Sequence, residues 1–170
     1  MITVTAPRTA AGLVIGTARL AADLEAAAEL LARQLRWVDA VTPISTNVQD
    51  DITHLGQPDP DVRLLLARRG GRAVGVARLR GLGPDGGSLR CRNAQLSHLY
   101  VVPEARGTGA GEALVAQAAV MAWWFGCREL RARTTVWPAD AVRLLERVGL
   151  RSAGGDVWAL AVEPAVTARQ

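Results

Sequence analysis

The residues best suited to chemistry in this 170-residue chain are six in a row, Arg106-Gly107-Thr108-Gly109-Ala110-Gly111. They follow the apolar run Leu99-Tyr100-Val101-Val102, which Pro103 stops, and they lead directly into a helical pattern. The first turn of a helix leaves backbone N–H groups unpaired, and its aligned peptide dipoles put partial positive charge there. Glycines let a phosphate approach the backbone with no β-carbon in the way. Strand, glycine-rich turn and helix together make a cradle for a pyrophosphate, with Arg106 adding a full charge at its lip. Two other readings compete: a dinucleotide-binding turn and a glycine turn with no ligand. The spacing Gly107-x-Gly109-x-Gly111 lacks the two-residue gap before the third glycine of the dinucleotide fingerprint. The strand before it also follows a hairpin rather than opening a βαβ unit. Where an acidic ribose partner belongs, about 20 residues beyond the last glycine, stands Arg131.

The candidates for proton transfer are few. His98, on the strand before the glycine turn, suits acceptance of a proton near neutral pH or its relay through water, and equally a hydrogen-bonded structural role. His54 lies near Asp50 and Asp51, which could attract a cationic substrate or simply solvate a helix. Tyr100, the single tyrosine, reads as a strand residue. Trp37 and Trp137 could wall a pocket, while Trp123 and Trp124 read as packing or a subunit contact. All 20 basic residues are arginine, so lysine Schiff-base, P-loop and general-base chemistry are excluded. Eight arginines fall between Arg63 and Arg92. They could attract an anion such as nucleic acid or a cofactor phosphate. With few aromatics interleaved, and with Arg78 and Arg80 sharing strand parity, the solvated face of a hairpin is the favoured reading. Cys91 and Cys127 make neither a disulfide framework nor a metal-ligand spacing, and no metal is expected.

The elements that must position these residues follow from periodicity. Residues 13–20 read as a strand, and Asp23 opens a helix with Leu24, Ala27, Ala28, Leu31 and Leu35 on one face. A shorter helix is expected over Ser45–Leu55. A hairpin follows, from Val62–Arg68 through the turn Arg69-Gly70-Gly71-Arg72 to Ala73–Arg80. Further strands are expected at Ala94–Val102, Glu129–Val136 and Asp156–Val162, and helices at about Gly109–Phe125 and Ala139–Val148. This order predicts an α/β (α+β) fold, one mixed sheet with helices on its faces.

The stretch Val102-Pro103-x-x-Arg106-Gly107-x-Gly109-x-Gly111 resembles motif A of the GCN5-related N-acetyltransferases (GNAT), whose pattern is (Arg/Gln)-x-x-Gly-x-(Gly/Ala). Arg106, Gly109 and Gly111 fill its fixed positions, and the resemblance runs from about Ala18 through Val162. It implies a mostly antiparallel sheet splayed at its centre, acetyl-CoA as cosubstrate, and an amine of a small molecule or peptide as acceptor. It implies a cofactor-binding set of Tyr100, Val101, Val102, Arg106, Gly107, Thr108, Gly109, Ala110, Gly111 and Glu112, with pantetheine amides pairing on the backbone of Val101 and Val102. It also implies direct attack on the thioester after a base, here His98 or His54, or a water chain takes the proton. Two positions depart from the family: Leu145 stands where a tyrosine usually protonates the leaving thiolate, and Pro138 replaces a frequent asparagine. The alternative reading is therefore an acyl-CoA-binding sensor of the same fold that has lost catalysis.

Residues 1–170 are expected to form a single acetyltransferase domain, with about 163–170 as a flexible tail. No stretch approaches the roughly 20 apolar residues of a membrane helix, and the N-terminus makes a poor signal peptide, so a cytoplasmic location without membrane association is expected. A homodimer accords with the fold, and nucleic acid is not an expected partner.

Overall fold

The computed structural model describes residues 12–41, 59–82, 93–134 and 139–162. Asp50, Asp51, His54, Cys91, Trp137, Pro138, the helix expected over Ser45–Leu55 and the tail from 163 lie outside the described residues. In chain order the elements are β1 (Leu13–Thr17), α1 (Ala21–Val41), β2 (Val62–Arg69), β3 (Arg72–Leu82), β4 (Asn93–Val101), α2 (Ala110–Trp124), β5 (Glu129–Arg133), α3 (Ala139–Arg147), β6 (Arg151–Gly154) and β7 (Val157–Ala161). The strands form one sheet in the order β1-β2-β3-β4-β5-β7-β6. Every pairing is antiparallel except the central one, β4 with β5.

Local chemistry explains the boundaries. β1 is three residues shorter than its apolar pattern suggests, because α1 begins at Ala21 and places Asp23 in its first turn. The Asp23 carboxylate accepts the backbone N–H groups of Arg19 and Leu20, both at 3.1 Å, which satisfies donors at the helix entry. It also accepts from Arg68 Nη2 at 2.7 Å, fastening the start of α1 to the end of β2. These bonds, the backbone ones foremost, hold its carboxyl below the usual value of 3.8. The hairpin turns at Gly70 and Gly71, whose φ of 55° and 80° are left-handed. One strand, β6, has no counterpart among the sequence expectations: its four residues are all exposed, so no buried alternation marks it.

Alternation divides the core in two. On one face Ala77, Leu79, Ala94, Leu96, Leu130 and Ala132 are sealed beneath α2 and Leu145 of α3. On the other, Leu64, Leu66, Val76, Tyr100 and Val102 pack under Ala27, Leu30 and Leu31 of α1. Helices thus cover both faces of the sheet. α2 comes close enough that a β-carbon on Gly75 of β3 would meet Leu114 Cδ1 and the Tyr100 carbonyl, each at 3.1 Å.

Cys127 is fully buried at the α2–β5 turn and is disulfide-bonded, which the cysteine pattern did not suggest. Among the described residues no helix is long and apolar enough to cross a membrane.

Candidate functional site

Two features of β4 shape the site. Val76 pairs with Tyr100 but Arg78 pairs with Ser97, so Ala77 alone opposes His98 and Leu99. This is a β-bulge, and His98 carries its left-handed φ of 50°, the one positive φ outside glycine among the described residues. The bulge reverses the strand's parity. Ala94 and Leu96 face α2, whereas Tyr100 and Val102 face α1. The parallel ladder to β5 covers only Asn93–Leu96 against Glu129–Ala132. Beyond that register β4 continues through Val101 without a paired residue on β5, and the sheet opens at its centre as the resemblance implies.

The glycine-rich turn lies at the open end. Pro103–Ala105 form a single 3-10 turn, in which the N–H of Ala105 donates to the Val102 carbonyl at 2.9 Å and that of Arg106 to Pro103 at 3.2 Å. Thr108 Oγ1 donates to the Ala105 carbonyl at 2.6 Å and ties the turn to itself. Gly107 and Gly109 have φ of 73° and 84°, and a β-carbon on either would meet nothing within 4 Å. Glycine at these two positions answers to the left-handed backbone, and the space beside it is open. Gly109 is the N-cap of α2, and no side chain among the described residues caps that end. The first-turn N–H groups therefore point outward, which suits an anion.

Gly111 is different. A β-carbon there would lie 2.7 Å from Leu144 Cδ2 of α3, so this glycine permits close approach of two helices rather than of a phosphate. Ala110 is buried in the core beneath α2. Glu112, in the first turn of α2, pairs with Arg147 Nε at 3.2 Å, which offsets a carboxylate that would repel an anion nearby. Spacing alone could not have found Arg147 or Leu144, since both come from α3.

The remaining candidates are placed as follows. Arg106 does not lean over the glycine turn; its Nε donates to the Val101 carbonyl at 3.1 Å and its guanidinium lies 5.8 Å from the Trp37 ring centroid. The N–H of Val102 is engaged with the Val74 carbonyl at 3.0 Å. The Tyr100 side chain is buried in the cluster beneath α1. His98 is half-buried at the bulge, next to the point where β4 and β5 part. Leu145, at the position of the family's usual tyrosine, is fully buried in the core. Among the described residues no cluster of three or more His, Cys, Asp or Glu side chains is present.

Comparison with known proteins accords with this geometry. The model of the acetyltransferase (GNAT) family matches residues 24–150. Comparison with curated proteins gives no match. Among solved structures, an acetyltransferase of the GNAT family from Staphylococcus aureus Mu50 superposes with a TM-score of 0.67 at 14% identity, covering 89% of this chain and 99% of its own. The PaiA N-acetyltransferase from Thermoplasma acidophilum, solved in complex with coenzyme A, gives 0.64 at 16% identity over 86% of this chain and 96% of its own. A ribosomal-protein-alanine N-acetyltransferase from Brucella melitensis biovar Abortus 2308 gives 0.62 at 24% identity over 84% and 94%. At these identities the structures establish a shared fold. The family model covers most of the chain, and with the central splay and the glycine turn it leads to one conclusion: this protein belongs to the acetyltransferase (GNAT) family.

Proposed function

We propose that the protein transfers an acetyl group from acetyl-CoA to the amine of a small molecule or peptide. The observation that carries this reading is the uncapped start of α2 behind Gly107 and Gly109, set at the open end of the β4–β5 pair. When bound, acetyl-CoA supplies a thioester whose acyl carbon an amine can attack. The new C–N bond replaces the C–S bond, and the thiolate leaves with the electron pair of the bond that breaks. The turn from Arg106 to Gly111 and the N-terminal N–H groups of α2 up to Glu112 hold the pyrophosphate, and the backbone from Tyr100 to Val102 flanks the pantetheine arm. For the last of these, Arg106 must release the Val101 carbonyl, since its Nε donates there at 3.1 Å.

His98 takes the amine's proton in this reading, because the bulge holds it where the strands part. His54 is the alternative base. Leu145 cannot donate a proton from the usual tyrosine's position, so in this reading water protonates the thiolate. Residues 1–170 act as one acetyltransferase domain in the cytoplasm, where acyl-CoA is supplied, with a homodimer as the expected assembly and without nucleic acid.

The burial of Leu145 favours a second reading, an acyl-CoA sensor without turnover. One set of measurements separates the two. Calorimetry is expected to detect acetyl-CoA binding by the wild type and its loss in Gly109→Val, which forces a branched residue to a φ of 84°. Thiol release over an amine panel then reports transfer. His98→Asn keeps a residue that tolerates left-handed backbone and removes the imidazole; it is expected to lower turnover and erase one limb of the pH–rate profile. Unchanged affinity in Gly109→Val rules out the cradle, and tight binding with no release over any amine favours the sensor.

A further inference from the structure

The sheet face opposite α2 carries a charged array that the transfer reading leaves unexplained. Ala77, Leu79, Leu130 and Ala132 point into the core under α2, so the residues between them point the other way. On β3 these are Arg78 and Arg80, on β5 Arg131 and Arg133, and on β4, between the two, Gln95 and Ser97. The register aligns them in rows. Arg80 lies beside Gln95 and Gln95 beside Arg131; Arg78 lies beside Ser97, and Arg133 stands one step past Ala132 as Ser97 stands one step past Leu96. Sheet geometry spaces successive same-face residues by roughly 7 Å along the strands and sets Arg80 roughly 10 Å from Arg131 across β4. α1 packs on this face against Leu64, Leu66, Val76, Tyr100 and Val102, toward the other end of β4.

Arg80, Arg131 and Arg133 are exposed and Arg78 is half-buried. Arg131 meets Glu129 at 2.6 Å, while Arg80 and Arg133 carry no ion pair among the described residues. Arg80 and Arg133 thus add two guanidinium charges with no carboxylate against them among the described residues, in a tray floored by an amide and a hydroxyl. Guanidinium forks bind carboxylate and phosphate oxygens in pairs of parallel hydrogen bonds. The row Arg78–Ser97–Arg133 directly precedes His98 and the opening between β4 and β5. Among the described residues this face lacks the aromatic platforms that single-stranded nucleic acid requires.

We propose that this tray selects the acceptor: the protein acetylates an amine that also bears a carboxylate or phosphate, held by Arg80, Arg131 and Arg133 with its amine directed to the gap beside His98. This inference rests on the transfer reading above.

The test pairs acceptors that differ only in charge, ethanolamine phosphate against ethanolamine and β-alanine against propylamine, with thiol release as the readout at saturating acetyl-CoA. The anionic member of at least one pair is expected to show about tenfold higher kcat/KM, the scale of a charged hydrogen-bond pair. Which pair responds distinguishes phosphate from carboxylate. The double variant Arg131→Ala with Arg133→Ala is expected to raise KM for that acceptor about tenfold, with kcat and the KM for acetyl-CoA little changed. Preference for the neutral members, an equal loss for charged and neutral acceptors, or displacement of the anionic acceptor by an oligonucleotide overturns the proposal. If no acceptor releases thiol, the transfer reading fails, and the tray is decided separately. A rise in Tm with ethanolamine phosphate or β-alanine that the double variant abolishes then upholds anion binding, and no rise with either refutes it.

Discussion

On the α2 side of β3, β4 and β5, residues such as Leu79, Leu96 and Leu130 are wholly shielded from water. On the other side of the same strands stand Arg80, Gln95 and Arg131, in register with one another, the two arginines exposed and the glutamine half-buried. The contrast is produced by single-residue alternation, so neighbouring positions answer to different demands. The dry face supplies the packing that keeps the central strands in place. The wet face is free to vary in charge at little cost to folding, and that freedom suits the recognition of a substrate. Parity holds only as far as the bulge at His98; past it the same strand turns Tyr100 and Val102 toward α1. The contrast of faces is therefore confined to the stretch that ends where the strands part.

Substitutions one residue apart should break this contrast most clearly. Leu130→Ala leaves a cavity under α2 and is expected to cost about 2–5 kcal/mol, read as a lowered denaturant midpoint with the slope unchanged. A loss well below that range would show that α2 collapses onto the sheet. Asp23 comes next, at the entry to the opposite helix. Its carboxyl sits below 3.8 in the folded state, so the stabilisation it gives is present above that value and fades as the pH drops through the lowered one. Asp23→Asn is expected to lower Tm at neutral pH, and the gap to the wild type should close below about pH 4. A gap that persists undiminished in acid would assign the effect to side-chain shape rather than charge. The smallest effect is expected from Arg133→Ala, whose stability should change by no more than about 0.5 kcal/mol. A larger loss would mean that the exposed face contributes to holding the sheet.

The glycine turn was legible in the sequence because its signals are local: a proline stop, glycines at left-handed positions and a helix start within ten residues. The hairpin turn at Gly70 and Gly71 and both long helices were legible for the same reason. What sequence could not supply lies in contacts between distant segments. Gly111 looks like its two neighbours until Leu144 is brought against it. Glu112 reads as part of a cofactor site until Arg147 arrives from α3. The arginines between residues 63 and 92 also divide once folded. Arg68 is used by Asp23, and Arg63 Nη1 donates to the carbonyls of Pro60 and Val62, whereas Arg78 and Arg80 gain Arg131 and Arg133 as companions only through the parallel pairing of β4 with β5. The bulge was hidden as well, since a histidine in an apolar strand carries no mark of a left-handed backbone.

The contact between Gly111 and Leu144 also bears on how such a protein can change over generations. A methyl group added at position 111 would force the Leu144 side chain to shift, and a smaller residue at 144 would make room for it. Position 109 has no such partner, because its constraint is the backbone itself. The third glycine of the turn is thus open to second-site suppression, and in a lineage its replacement would be expected to follow a change in α3. The second glycine must be kept or lost on its own.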